Sequence, residues 1–272
     1  MLNYKEDLRN TDLILKWKNA PGYEKLYFSS NERLKDIFYN IDLTGKKVLS
    51  VLGSGDQAFY IYNLNAKEVD LFDKNKLTIY YFYLRIWLIE YCDNFYFPTN
   101  VDNSFLINLL KKVKPKTEEE ATAYNYWKEF IKIAFNNKVE FNDLQEEEPS
   151  NENEIKNLDK IKENLKMRNF KFYNIDIAGN NLTLKKKYDV IYASNIIDWL
   201  CFVDTLIKNF ENNLYSILEK DGIVIFSDLT ETGPVSLEME IFKSNFNYQS
   251  LPITIRNQDD RPGYCYKKKR IK

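Results

Sequence analysis

Hydrophobic and polar positions along this chain follow two rhythms. Short apolar runs bounded by turns recur at Lys47–Leu52, Glu68–Phe72, Tyr188–Ala193 and within LEKDGIVIFSD (Leu218–Asp228), and NFKFYNIDI adds one that ends near Asp176. Runs of this length between turn signals predict buried strands. Helical spacing fills the intervals, notably over Val203–Leu218 and near Leu237–Asn245. Strands alternating with helices predict a parallel sheet covered on both faces. Two more short strands, around Tyr248–Ile255 and Gly263–Lys267, share a short connection and predict an antiparallel addition at one edge. The fold class is therefore α/β: a Rossmann-like, mostly parallel seven-stranded sheet with helices on both faces.

Three stretches depart from that alternation. Residues 1–42 read as a polar helical segment with a Pro21-Gly22 turn; Ser29 or Ser30 is placed to cap a helix with Glu32 in its first turn. Leu77–Tyr91, LTIYYFYLRIWLIEY, is apolar on most sides and predicts a buried helix. Residues from about 95 to 166 alternate helical segments with acidic, Asn-rich loops such as LQEEEPSNENE. They read as a helical insertion before strand three, its acidic loop a surface segment or a lid. The whole of 1–272 is expected to form one domain.

The chemistry concentrates between Lys47 and Asp73. An apolar run meets Gly53-Ser54-Gly55, a helical segment follows, and a second apolar run ends on Asp73, 20 residues past Gly53. Glycines let the backbone take positive φ and approach a ligand, and the helix after them offers unpaired N–H groups. An acid at that spacing suits a carboxylate accepting from both hydroxyls of a ribose. Asp176 closes the third strand, where an acid can accept from an adenine amino group. Asn195 and Asp198 follow the fourth, where a transferred group would meet its acceptor. Ligands of open α/β sheets bind beyond the carboxyl ends of the strands, so these positions are expected to converge. Each also has a plainer reading: a tight turn for the glycines, helix caps for Asp73 and Asn195, a strand-end turn for Asp176, a structural acid for Asp198.

Composition narrows the chemistry. There is no histidine, which removes Ser-His-Asp and Cys-His arrangements and the commonest metal ligand. Cys92, Cys201 and Cys265 are widely spaced, with no Cys-x-x-Cys pair, so neither zinc nor a disulfide framework is indicated. No metal site is expected. A net charge of −1 gives no field toward nucleic acid, and the basic runs Lys185–Lys187 and Lys267–Arg270 read as solvated. No membrane-spanning run or leader is evident and the cysteines suit a reducing compartment, so a cytoplasmic protein is expected. The 20 tyrosines and 18 phenylalanines read as thick core packing, with an aromatic substrate pocket as the lesser alternative.

VLSVLGSGDQ, DLFDKN, NIDI, DVIYASNIIDW and DGIVIFSD together resemble the motifs of class-I S-adenosylmethionine-dependent methyltransferases, over roughly residues 25 to 267. YFSSNERL with GSGDQ, FDKN and the aromatic helix further resembles a bacterial subfamily related to the 3-amino-3-carboxypropyl transferases of betaine-lipid synthesis. Ser50 and Val51 stand where the family carries an acid before the turn, and Asp56 and Gln57 follow Gly55 in place of a further glycine. The resemblance implies S-adenosylmethionine as cofactor. It places Gly53, Ser54, Gly55, Asp56 and Gln57 in the cofactor turn, Asp73 and Lys74 at the ribose, and Asp176 and Ile177 at the adenine. Asn195 falls at the reacting end with Asp198, and Tyr27 and Asn31 in the cofactor shell.

Methyl transfer to a small-molecule acceptor is the leading reading, with aminocarboxypropyl transfer as the alternative and a lipid headgroup kept as a second acceptor class. A sulfonium is already activated, so alignment can supply most of the rate without a histidine. Asp198, Asp228 and Tyr192 are the candidate bases. A nicotinamide-dependent oxidoreductase would need a Tyr-x-x-x-Lys pair after a central strand. That spacing occurs only at Tyr124/Lys128 and Tyr264/Lys268, in the insertion and the tail. A non-catalytic nucleotide-binding module is the third reading.

Overall fold

A computed structural model of the chain describes residues 2–10, 32, 34–93, 102–136, 158–166, 168–180, 182–194, 196, 200, 204–228, 248–250, 254–258 and 261–271. The Pro21-Gly22 turn, the Ser29/Ser30 cap, the acidic loop LQEEEPSNENE and the helix expected near Leu237–Asn245 lie outside these residues. The chain divides into two compact units: Met1–Asn31, Leu52–Phe59 and Asn75–Asn169 in one, Glu32–Val51, Tyr60–Lys74 and Phe170–Lys272 in the other.

The second unit holds the sheet. Its strands are β1 (Lys47–Val51), β2 (Glu68–Asp73), β3 (Phe172–Asn174), β4 (Tyr188–Tyr192), β5 (Leu218–Asp228), β6 (Tyr248–Ser250), β7 (Thr254–Gln258) and β8 (Arg261–Arg270). The order is β3-β2-β1-β4-β5-β8-β6, with β7 also on β8. The first five are parallel and the last three antiparallel. The sheet is thus α/β and mostly parallel, and among the described residues it has eight strand segments where seven were expected. The extra one arises at the edge. β6 pairs Ser250 with Lys268 and β7 pairs Thr254 with Cys265, so both lie on the side of β8 away from β5 and divide the single strand expected over Tyr248–Ile255. β3 is only three residues long, since the chain turns at Asp176 instead of pairing through it.

Parallel strands buried on both faces should be apolar throughout, and β2 is not: Asp70 stands in its middle, 1% exposed. Its carboxylate is satisfied by Lys186 Nζ at 2.6 Å, the Tyr188 hydroxyl at 2.8 Å and the Lys171 amide at 3.2 Å. Burial and the Asp70 carboxylate both push the Tyr188 hydroxyl far above its ordinary pKa, so it stays a donor. Lys186 is therefore no solvated charge, contrary to the reading of its run. Lys267–Arg270 likewise belongs to β8, and Arg270 Nη1 donates to the Tyr215 and Leu218 carbonyls at 3.0 and 2.5 Å. Those carbonyls lie where the sheet-covering helix Asp204–Ile217 passes into β5, and Ile207, Phe210, Leu214 and Ile217 of that helix form one apolar stripe against Tyr188, Ile191 and Val224.

The first unit is helical. Its elements are α1 (Tyr4–Asp7), the Asp56 end of a helix that continues to Asn63, and the helices Leu77–Cys92, Asn103–Lys112, Glu118–Asn136 and Leu158–Lys166. In chain order, with the short helix Leu34–Ile37 as α2 and Asp204–Ile217 as α8, these are α1 and α3 to α7. Leu77 to Ile89 of α4 are buried in unbroken succession, as its all-round apolar pattern requires. α6 packs on α4, α5 and α1 largely through rings: Tyr80 stacks on Tyr126 at 4.1 Å and Trp127 Nε1 donates to the Tyr80 carbonyl at 2.7 Å. Asp7 joins α1 to α4, accepting from Lys76 Nζ at 2.9 Å and the Tyr80 hydroxyl at 2.5 Å. These rings are core, which is where the aromatic composition was expected to go.

Arg168 clamps this unit. It forms a bidentate pair with Glu90 of α4 at 2.9 and 2.7 Å, and also donates to Glu120 of α6 at 2.9 Å and the Leu165 carbonyl of α7 at 2.6 Å. Glu120 further accepts from Trp87 Nε1 at 2.6 Å. Burial would raise the Glu90 carboxyl, but Arg168 and Lys116 outweigh it and hold it below its ordinary value of 4.5. Arg168→Met should cost about 3–5 kcal/mol in urea unfolding, because Glu120 stays buried without its partner. In the native protein the Glu90 contribution is fully present above its unfolded pKa. It should be lost as pH falls through the lower folded value. A urea midpoint measured from pH 6 downward should therefore fall for the native protein below the ordinary carboxylate range, and much less for Arg168→Met.

Candidate functional site

In the sheet unit the five parallel strands all end on one side. The strand order reverses between β1 and β4, the place where open α/β sheets take ligands. Asp73 is the last residue of β2 and stands opposite Asn174 of β3. Asn174 Nδ2 donates to the Asp73 and Lys74 carbonyls at 3.0 Å each, and Ile175 N to the Asp73 carbonyl at 3.2 Å. These bonds tie the backbone of Asp73 while its side chain remains half-buried at the strand end.

Asp176 comes two residues beyond β3. Its Oδ1 accepts from the Ala178 amide at 3.0 Å, closing an Asx turn, and its Oδ2 pairs with Lys74 Nζ at 3.0 Å. Lys74 and Asp176 are both exposed, so this pair is worth at most about 1 kcal/mol and is easily exchanged for another partner. Ile177 is buried and belongs to the apolar core of the unit with Phe72 and Leu214. Asn213 of α8 fixes the turn, donating to the Ile177 and Gly179 carbonyls at 2.8 Å each. Asp73, Lys74 and Asp176 thus meet at one edge. Nothing in the sequence pattern singled out Asn213, which reaches that edge only through helix packing.

The glycine turn belongs to the helical unit. Gly53 and Gly55 have φ of +50° and +90°, the left-handed region open to glycine. Gly55 N donates to the Leu52 carbonyl at 2.7 Å, and the Gly55 carbonyl accepts the first bond of α3 from Phe59 N at 3.1 Å. Ser54, Asp56 and Gln57 are buried, and of the expected turn residues only Gly53 keeps appreciable exposure. Asp56 is wholly buried; its Oδ1 accepts from Arg85 Nη1 at 2.6 Å and its Oδ2 from Ser54 Oγ at 3.1 Å. The same Arg85 nitrogen donates to the Ser54 carbonyl at 2.9 Å, and the guanidinium lies 5.1 Å from the Phe59 ring centroid. Arg85 is a residue missed in the sequence, although a lone arginine inside LTIYYFYLRIWLIEY was the signal. A charge in an all-round apolar helix needs a buried partner.

Tyr27, Asn31, Asn195 and Asp198 lie outside the described residues. At the end of β4, Tyr192 and Ser194 are described, and both hydroxyls donate to the buried carboxylate of Glu32. Glu32 was read only as a first-turn residue of a helix. Of the Tyr-x-x-x-Lys pairs, Tyr264 and Lys268 stand on β8, which runs antiparallel to β5. Tyr124 lies edge-on to the core ring of Trp87, centroids 6.3 Å apart. Among the described residues no group of three or more Cys, Asp or Glu is placed to hold a metal, and no helix is long and apolar enough to cross a membrane.

No protein-family profile matches the chain, and no curated protein sequence does. Among solved structures it is similar to the N-methyltransferase NodS from Bradyrhizobium japonicum WM9, with 8% identity, TM-score 0.47, and 88% of this chain and 92% of that one covered. It is also similar to a TehB-like SAM-dependent methyltransferase from Corynebacterium glutamicum, with 9% identity, TM-score 0.47, and coverage of 97% and 99%. A third is magnesium protoporphyrin IX methyltransferase from Synechocystis PCC 6803 with bound SAM, with 12% identity, TM-score 0.43, and coverage of 99% and 98%. Likenesses at this level carry no argument for ligand or reaction; the α/β character of the sheet rests on its own strand pairing.

The turn makes two stability predictions. A Cβ on Gly55 would stand 2.8 Å from Phe82 Cδ2, whereas one on Gly53 would meet only the end of Gln57 at 3.4 Å. Gly53→Ala should cost about 1–2 kcal/mol for the left-handed backbone alone, and Gly55→Ala distinctly more, in urea unfolding. Arg85→Met should cost about 3–5 kcal/mol by leaving Asp56 buried and charged, and adding Asp56→Asn should recover part of that loss. A double-mutant cycle measures the coupling.

Proposed function

We propose that this chain is an S-adenosylmethionine-dependent transferase, moving a methyl group to a small-molecule acceptor in the cytoplasm. The reading is supported above all by Asp73: the half-buried acid that ends β2 stands at the same edge as Asp176 of the neighbouring strand end. An acid in that place can accept from a ribose, and one beside it from an adenine amino group. The positive-φ turn after β1, taken by itself, is open to the approach of a ligand, because Gly53 carries no side chain to block its backbone.

When bound, S-adenosylmethionine supplies an activated sulfonium carbon. Asp73 and Lys74 would hold the ribose, and Asp176 the adenine once its bond to Lys74 is exchanged. Ile177 would keep the Asp176 turn on the core, and Gly53 to Gln57 would form the turn, of which Gly53 alone keeps appreciable exposure. Tyr27 and Asn31 complete the proposed shell. Asn195 and Asp198 would orient the acceptor; alignment, without metal or histidine, would carry the rate.

Calorimetry with S-adenosylhomocysteine and mass analysis of the products of S-adenosylmethionine test the reading. Asp73→Ala should weaken binding by about tenfold or more, the loss of charge-assisted hydrogen bonds. Asn195→Ala should lower turnover more than affinity, and a chelator should change neither. S-adenosylhomocysteine as product supports methyl transfer, and methylthioadenosine would assign aminocarboxypropyl transfer instead. Absence of binding by the native protein would overturn the proposal.

A further inference from the structure

Glu32 is 1% exposed, an unusual place for a carboxylate. Its Oε2 accepts from Ser194 Oγ at 2.7 Å and from the Tyr192 hydroxyl. Both donors sit at the carboxyl end of β4: Tyr192 is its last residue and Ser194 follows two positions later, and both are buried. Phe38 meets the Tyr192 ring edge-on with centroids 5.2 Å apart, so Glu32 by hydrogen bonds and Phe38 by a ring contact both hold the strand end.

Ser194 has a φ of +51°. A non-glycine residue there is strained and persists only where its surroundings over-determine it, and such strain clusters at functional positions. Ile196 N donates to the Ala193 carbonyl at 3.3 Å, closing a tight turn around that strained residue. Sheet stability alone does not call for a buried carboxylate, since apolar side chains of the same shape would pack here without removing a charge from water. What the carboxylate does supply is direction: it fixes two hydroxyls, and one of them belongs to the residue with the strained backbone.

We propose that Glu32 is a positioning residue for the transfer step. It holds Ser194 in the left-handed conformation and so sets the direction in which the chain leaves β4 toward Asn195. The inference rests on the transferase reading, in which the turn after the fourth strand serves the reacting end. Glu32 moves no proton in this scheme; it acts through the backbone of residue 194. Glu32→Gln removes the charge that strengthens both hydrogen bonds, and Ser194→Ala removes one bond while leaving an L residue at positive φ. Ser194→Gly removes the same bond but adopts the conformation freely.

The native protein, E32Q, S194A and the double variant E32Q/S194G should be compared in three measurements. These are S-adenosylhomocysteine affinity by calorimetry, hydrogen exchange across residues 190–196, and conversion of S-adenosylmethionine in the small-molecule extract of cells that make the protein. E32Q and S194A should each exchange faster over 190–196 and lose about tenfold or more in turnover, the scale set by a sub-ångström misplacement. Their affinities should stay within about twofold of native. E32Q/S194G should regain most of the turnover lost by E32Q. Full turnover by E32Q, or a loss that Ser194→Gly does not restore, overturns the positioning role. Should E32Q fail to fold, full turnover by S194A does so. A native protein that binds S-adenosylhomocysteine but consumes no S-adenosylmethionine also overturns it, since no transfer is then there to position. A native protein that does not bind S-adenosylhomocysteine overturns the transferase reading itself.

Discussion

A guanidinium enclosed by apolar rings is the constraint around which the helical unit is arranged. Arg85 sits in the middle of α4, wholly buried, and its charge can be tolerated only where a carboxylate and a carbonyl reach it. Asp56 and the Ser54 carbonyl are those partners, and both belong to the glycine turn. The turn is therefore held to α4 by electrostatics as well as by Gly55 lying against Phe82. Its polar side chains face inward, and of the turn only Gly53 keeps appreciable exposure.

Charge is handled by the same rule elsewhere. Asp70 is reached by Lys186 and Tyr188, Glu120 by Arg168 and Trp87, Asp7 by Lys76 and Tyr80, and Glu32 by Tyr192 and Ser194. Among the described residues each of these buried carboxylates accepts from more than one donor, so none of them carries the desolvation cost of an unpaired charge. In several of these clusters the donor is a tyrosine or tryptophan, a ring with an apolar body and one polar atom. The aromatic excess of the chain is thus a core material that packs and also satisfies polar groups.

The sheet contributes a different kind of order. Five parallel strands must end on one side, and sequence order fixes which residues close them: Asp73 for β2, Asp176 just past β3, Tyr192 and Ser194 for β4. The polar groups gathered there follow from topology, not from pairwise attraction. The exposed Lys74–Asp176 pair is weak enough to yield to a ligand, while the Glu32 cluster is buried and is not.

Much of this was legible in the chain itself. The apolar runs located β1, β2, β4 and β5, and the all-round apolar stretch located α4, because burial on two faces or all round leaves a local pattern. The glycine turn and the strand-end acid Asp73 were legible for the same reason: each depends on near neighbours. The split of the outer edge into β6 and β7 was not, since it depends on how β8 registers with both. Nor were the roles of Lys186 and Arg270, whose runs look solvated until strands and helices bring carboxylates and carbonyls to them. Sequence by itself determined the alternation, the turn and the acids at the strand ends, all set by backbone geometry and local hydrophobic spacing. Only the tertiary structure decided that Arg85 answers Asp56 and that Glu32 answers Ser194, because a buried charge finds its partner across about thirty residues in one case and more than 150 in the other.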